Sequence, residues 1–289
     1  MEKFKLVLFF LLPLIFITSS FIFLSCSWME SSKDKDDIER AVDGQYRAYF
    51  YPIAEIEDND AKGEFGLFSE QAFLHPWGRK IDRPVDRTIE IDFQGNTAYI
   101  TVTCDITGQF LVDTTDDNIY NPGSKPLHDT LTKYAVFEKD DNGVWVLKKI
   151  SPGEFKLYDQ SKQTVHLKSV HIYDNDGDVN MTITDPKMLY DVETEVPRFD
   201  KDEIVYVDVE AENTTNEDWS PKSFVYLHWP WNRDLFTDLG DDIHYKGNWS
   251  PHEDGVHHAA VDILNSGCIQ NETNDDYNAN AWGMPYIVE

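Results

Sequence analysis

This 289-residue chain is short of cysteine and of basic residues. It has three cysteines, Cys26, Cys104 and Cys268, too few for a disulfide framework. Lys and Arg number 25 against 53 Asp and Glu, for a formal net charge of −28. Phosphate backbones are bound by basic charge, so this balance excludes nucleic acid and polyanionic surfaces as partners. It describes instead a soluble, self-repelling exterior. Catalytic signatures are lacking too. There is no Gly-x-Ser-x-Gly, no Gly-rich phosphate-cradling loop, no His-Glu-x-x-His and no cysteine in an electropositive setting. These absences speak against a nucleophilic hydrolase, a P-loop site and a zincin centre.

One long apolar run is present, at the start. After Met1-Glu2-Lys3-Phe4-Lys5, residues Leu6 to Leu24 are almost wholly apolar. About 20 apolar residues span a bilayer, so a membrane anchor is one reading. A cleaved secretory signal is another. The distinguishing detail is Phe23-Leu24-Ser25-Cys26, with a small residue before a cysteine at the end of the run, followed by the polar residues 31–37. This segment resembles the leader of bacterial lipoproteins, with Phe23 where Leu is usual. The resemblance implies cleavage before Cys26, acylation of Cys26 by palmitate or a similar chain, and a membrane partnership through that lipid. Ser27, where an inner-membrane lipoprotein carries Asp, points to the outer membrane.

The rest divides into a charged tether over 27–37, an α+β domain over 38–156, a short linker at 157–163 and an all-β domain over 164–289. Ile38, Ala41, Val42, Tyr46, Tyr49 and Phe50 fall on one face of a helix, which Pro52 closes. The stretch 53–84 is aromatic- and Gly-rich and reads as one or two short helices. From Ile89 the period becomes two. Strands are predicted at 89–93, 97–106, 131–138 and 144–150, with turns at Gln94-Gly95-Asn96 and Asp140-Asp141-Asn142-Gly143 and an acidic loop over 113–129. A helix followed by a strand meander is an α+β pattern. Closing on the hairpin Tyr134–Ser151, it resembles the nuclear-transport-factor-two-like superfamily, whose curved sheet wraps a helix into a cone. The superfamily's enzymes place an Asp–His or Tyr–Asp pair inside the cone. His75, Asp92 and His128 are the available residues, but Asp92 is in the polar phase of its strand and His128 is in the acidic loop, so each reads as surface.

Past 164, strands are predicted at 165–173, 179–184, 204–210, 223–229, 257–264 and 286–288. Short strands without a helix suggest a β-sandwich. The run Asp202–Asn213 resembles a strand of the immunoglobulin-like modules of bacterial surface proteins.

Three features invite chemistry. Asp174, Asp176 and Asp178 alternate in the manner of a calcium loop, with Asp185 where an EF-hand has its bidentate Glu, since carboxylates at alternate positions converge on a hard cation if the backbone wraps it. Val179 stands where an EF-hand needs Gly, and the flanks read as strands, so a plain hairpin turn is the competing reading. The late histidines His228, His244, His252, His257 and His258 match no zinc spacing, and adjacent strand residues point to opposite faces. Trp229 and Trp231 flank a proline and are candidates to stack on a glycan, or else are core residues. Cys104 alternates with apolar neighbours and reads as a buried thiol, although a bridge to Cys268 stays open. The expectation is therefore a non-enzymatic, envelope-anchored lipoprotein, a binding or accessory module with a protein or glycan partner. The alternatives are a carbohydrate-binding surface protein, with calcium as its cofactor, and an enzyme with acid–base residues in the cone.

Overall fold

The computed structural model describes residues 32–50, 75–115, 117, 119, 121–216, 218–229, 232–272 and 277–289. Cys26, its leader and most of 53–84 lie outside the described residues. The chain divides into two compact units, Met1–Gln45 and Tyr46–Glu289. In the first unit a helix, α1, covers 32–43, so helix already begins inside the stretch expected as a tether. Its surface carries a Lys35–Glu39 pair at 3.7 Å, one helical turn apart. It stops at Gly44, whose amide donates to the Arg40 carbonyl at 2.9 Å. The helix expected over 38–50 is thus broken, and it resumes as α2, Arg47–Phe50. Among the described residues no helix is long and apolar enough to cross a membrane.

The second unit is mostly β. Its strands are β1 (Trp77–Ile81), β2 (Asp86–Gln94), β3 (Thr97–Val112), β4 (Gly123–Lys139), β5 (Trp145–Ile150), β6 (Gly153–Leu157), β7 (Val165–Asp174), β8 (Asn180–Ile183) and β9 (Tyr190–Asp191). They continue with β10 (Arg198–Phe199), β11 (Val205–Asn213), β12 (Ser223–Trp229), β13 (Asn232–Leu235), β14 (Thr237–Asp238), β15 (His244–Trp249) and β16 (Gly255–Asn265). A short helix α3 (Ser266–Gln270) then leads to β17 (Ala279–Val288). Asn265 caps α3 by accepting the Gly267 amide at 2.8 Å.

The main sheet runs β1-β3-β4-β6-β17-β16-β12-β13 and curls into a half-barrel. Its outer strands approach each other through side chains: the Trp77 ring of β1 lies 5.0 Å from Tyr226 of β12, and Arg233 of β13 donates to the Trp77 carbonyl at 2.9 Å. A second sheet, β14-β15-β11-β7-β8, covers the back of β12, β16 and β17. Between the sheets Val170, Ile172 and Val207 meet Leu227, Val261 and Trp282 around a void of about 10 Å³. That is at most one water's worth of space, so the sandwich interior is packed solid.

β16 and β17 serve both cores. Val261 and Ala259 face the second sheet, while Asp262 and His258 face the half-barrel, so neither strand shows the alternation of a one-sided strand. This is why the C-terminal segment, expected as a strand over 286–288 alone, is a ten-residue central one. The stretch 157–163 does not interrupt the main sheet either, because β6 pairs with β17 from Lys156↔Asn280 to Gly153↔Gly283. β4 begins at Gly123, inside the predicted acidic loop. Cys104 and Cys268 are both buried, and no disulfide joins them. Burial pushes the Cys104 thiol up to about 11.

Candidate functional site

The half-barrel has a polar interior, and β4 explains how. Its inward phase reads Lys125, Leu127, Asp129, Leu131, Lys133, Ala135, all buried. Charged residues therefore alternate with apolar ones on the core side, among the residues that face β1, β12 and β16 across the curl. Arg79 (2 % exposed), His228 (1 %), His258 (2 %) and Asp262 (0 %) enter the same space.

Two carboxyls there share one guanidinium unequally. Asp262 takes both arms of Arg79, Nη1 to Oδ2 at 2.5 Å and Nη2 to Oδ1 at 3.0 Å. Its Oδ2 is also 3.1 Å from His228 Nε2. Asp129 meets Arg79 through a hydroxyl: Arg79 Nε donates to Tyr277 Oη at 3.0 Å, and Tyr277 donates to Asp129 Oδ2 at 2.7 Å. Asp129 Oδ1 has no hydrogen-bond partner.

The charge states follow from this division. Burial opposes ionisation of Asp262, but Arg79 and His228 outweigh it and hold that carboxyl well below the usual range. Burial dominates at Asp129 and, against the pull of Arg79 and Tyr277, pushes it up to about 7. Burial likewise raises the Tyr277 hydroxyl, and Asp129 and Asp262 add to this. One carboxylate is fixed as an anion and the other is poised to exchange a proton, the separation that acid–base chemistry uses. Nearby, Lys133 Nζ lies 3.1 Å from His258 Nε2. Burial first, then that ammonium, hold His258 far below the ordinary imidazole value. Lys125 Nζ donates to the carbonyls of Gly267 at 3.0 Å and Cys268 at 2.8 Å, tying β4 to α3.

An aromatic row lines the same interior. Ring centroids run from Tyr226 to Trp77 at 5.0 Å, Trp77 to Phe110 at 5.2 Å and Phe110 to Tyr277 at 5.4 Å. The Arg233 guanidinium sits 3.8 Å from the Trp77 ring centroid, at cation–π distance.

The carboxylates and tryptophans singled out from sequence lie elsewhere. Asp174 ends β7 and accepts the amides of Gly177, Asp178 and Val179 at 2.5, 3.1 and 2.6 Å, so its carboxylate braces the hairpin turn. Asp176 and Asp178 share that turn and are exposed. Asp185 lies beyond the far end of β8, ~13 Å away at strand rise, and accepts the Lys187 amide. The four carboxylates do not converge. Among the described residues no group of three or more His, Cys, Asp or Glu side chains is arranged to hold a metal ion. Trp229 is half-buried and donates to Asp234 Oδ2 at 3.1 Å; Trp231 lies outside the described residues. Trp249 and Trp282 are core residues.

The late histidines disperse. His228 and His258 face the half-barrel, whereas His244 and His252 pair at the surface with Asp241 and Asp202, each at 2.6 Å. His128 is 43 % exposed against Asp105, and Asp92 is exposed. The inward carboxyl is Asp129, one residue on from His128. The signal that could have found the cluster is Asp262 itself, alone in the apolar run Ala259–Leu264.

No family model matches the chain, and no curated protein and no solved structure matches it either.

Proposed function

We propose that this chain is a bacterial envelope lipoprotein, acylated at Cys26 and held at the outer membrane. In this reading it acts without catalysis, as a binding module whose half-barrel interior receives a ligand. The observation that carries the binding role is the Arg79–Asp262–His228 and Tyr277–Asp129 cluster. Side chains from β1, β4, β12, β16 and the segment leading into β17 converge in an interior lined by aromatic rings, the residue types of a ligand site. The solid core between the sheets supports the sandwich reading of 164–289.

The tether is tested by feeding an alkyne-tagged palmitate analogue to a Gram-negative host expressing the full chain. Label in the membrane fraction that Cys26→Ser abolishes is expected; equal labelling of the variant would overturn the anchor. The binding role is tested by native mass spectrometry of the purified full chain. A non-covalent small molecule retained by the wild type and lost in Asp262→Asn is expected; a retained mass indifferent to that change would place binding elsewhere.

A second reading is an enzyme, favoured by the titration range of Asp129 beside Tyr277. It requires a substrate whose turnover Asp129→Asn reduces by about 10²-fold or more, with binding left intact.

A further inference from the structure

We propose that Asp129 is the ligand-contacting residue of the half-barrel and that it pairs with a hydroxyl of a small neutral polyol. This inference rests on the binding reading above and adds the ligand's chemical class.

The geometry separates the two oxygens of Asp129. Oδ2 is fixed by the Tyr277 hydroxyl at 2.7 Å, and Tyr277 is fixed in turn by Arg79 Nε at 3.0 Å. Oδ1 is left without a partner in a side chain that is 3 % exposed. A buried polar atom without a partner is destabilising, so a hydrogen-bonding group brought to Oδ1 is favoured. The Tyr226 hydroxyl is a second unpartnered oxygen, at the other end of the row Tyr226, Trp77, Phe110, Tyr277. A ligand that satisfies both carries at least two hydrogen-bonding groups.

Charge selects a neutral ligand. A cation at Asp129 faces the Arg79 guanidinium, and an anion faces the carboxyls of Asp129 and Asp262. Arg79 and Asp262 already neutralise each other through two hydrogen bonds. A hydroxyl both donates and accepts, so it pairs with Asp129 whether or not the carboxyl holds its proton, and with a phenol.

The test is an NMR titration of the full chain, ¹³C-labelled at Asp carboxyl and Tyr and Trp ring positions. Glycerol and erythritol are the neutral probes; acetate and methylammonium are the charged ones. Saturable shifts at Asp129 and Tyr226 with the polyols are expected. Asp129→Leu should weaken polyol binding about tenfold or more, the loss of one hydrogen bond to a charged group. Asp129→Asn, which keeps a donor and an acceptor and guards against misfolding of the Leu variant, should stay within about threefold of wild type.

Polyol shifts at Tyr226 and Trp77 that spare Asp129, or wild-type affinity in a folded Asp129→Leu protein, would overturn the role of Asp129 and leave the binding reading standing. Saturation by acetate or methylammonium alone would overturn the neutral class in the same way. Silence of all these signals toward all four probes would overturn the binding reading itself.

Discussion

Asp129 and Asp262 are the same residue type in one interior, and their hydrogen bonds set them apart. Asp262 has direct, two-armed contact with Arg79; Asp129 has the guanidinium only through a phenol. The sign of their pH effects differs accordingly. Folded Asp129 keeps its proton to about 7, whereas an unfolded Asp loses it near ~3.9. Between those values the native state holds the extra proton, so this group's contribution to stability falls as pH rises. From pH 5 to pH 8 the loss is on the order of 3 kcal/mol. His258 acts in the opposite sense, because its folded pKa is depressed and the unfolded imidazole takes the proton first as pH falls. The difference between proteins isolates Asp129: Asp129→Asn should gain stability over wild type at pH 8 and gain little at pH 5, measured by urea unfolding at both. An equal difference at the two pH values would refute the assignment.

Asp262→Asn should behave otherwise. It leaves the buried Arg79 guanidinium without its counter-charge and should destabilise by about 3–5 kcal/mol. Adding Arg79→Met should recover part of that loss, since a matched apolar replacement removes the unpaired charge. Additive losses in the double-mutant cycle would mean the two residues are not coupled.

Among elements, β1 is the one on which the site depends most and which has least to hold it. It is five residues long, pairs with β3, and carries both Trp77 and Arg79. Its fit against β3 requires glycine at 108, where an added Cβ would come within 2.2 Å of the Lys80 carbonyl. Gly108→Ala should therefore move β1, cost about 1–3 kcal/mol and perturb Asp129 and Asp262 resonances at a distance. Unchanged carboxyl signals would show that β1 does not position the cluster.

Elements that follow one-sided alternation were legible from sequence. β2, the first half of β3 and the Asn142-Gly143 hairpin are found where the periods put them, and β12, buried on both faces, where its apolar run does. β4 was legible only in its second half. Lys125, Asp129 and Lys133 stand in its inward phase, and hydrophobic patterning reads charged residues as loop or surface. β17 was legible only at its end, 286–288, because it is buried on both faces and contains Gly283 and Pro285, which punctuate loops elsewhere. Of the candidate site only His228 and His258 were singled out from sequence, since Arg79 and Asp262 stand 183 residues apart and only the curl of the sheet brings them together.

At the scale of the molecule, β16 and β17 are walls of two compartments. The half-barrel and the sandwich therefore stand or fall together. Unfolding of Tyr46–Glu289 should be one cooperative transition, with tryptophan fluorescence and far-UV circular dichroism changing together. A fragment ending at residue 163 lacks β12, β16 and β17 and should not fold. Two separate transitions, or a folded fragment, would restore the two independent domains that the polar stretch 157–163 suggests. The envelope tether and the binding role remain proposals that this architecture accommodates: a chain of net negative charge whose Arg79–Asp262 ion pair is turned inward.

The central claim is that this cluster is buried and divided into a fixed anion and a proton-exchanging acid. The most direct measurement is the ¹³C titration of the side-chain carboxyls of Asp129 and Asp262 in the full chain, each assigned by its Asn variant. The account expects Asp129 to titrate close to 7 and Asp262 to remain ionised until acid unfolds the protein. Ordinary titration of both near ~4 would mean two solvated surface carboxylates, and the polar half-barrel interior would not exist.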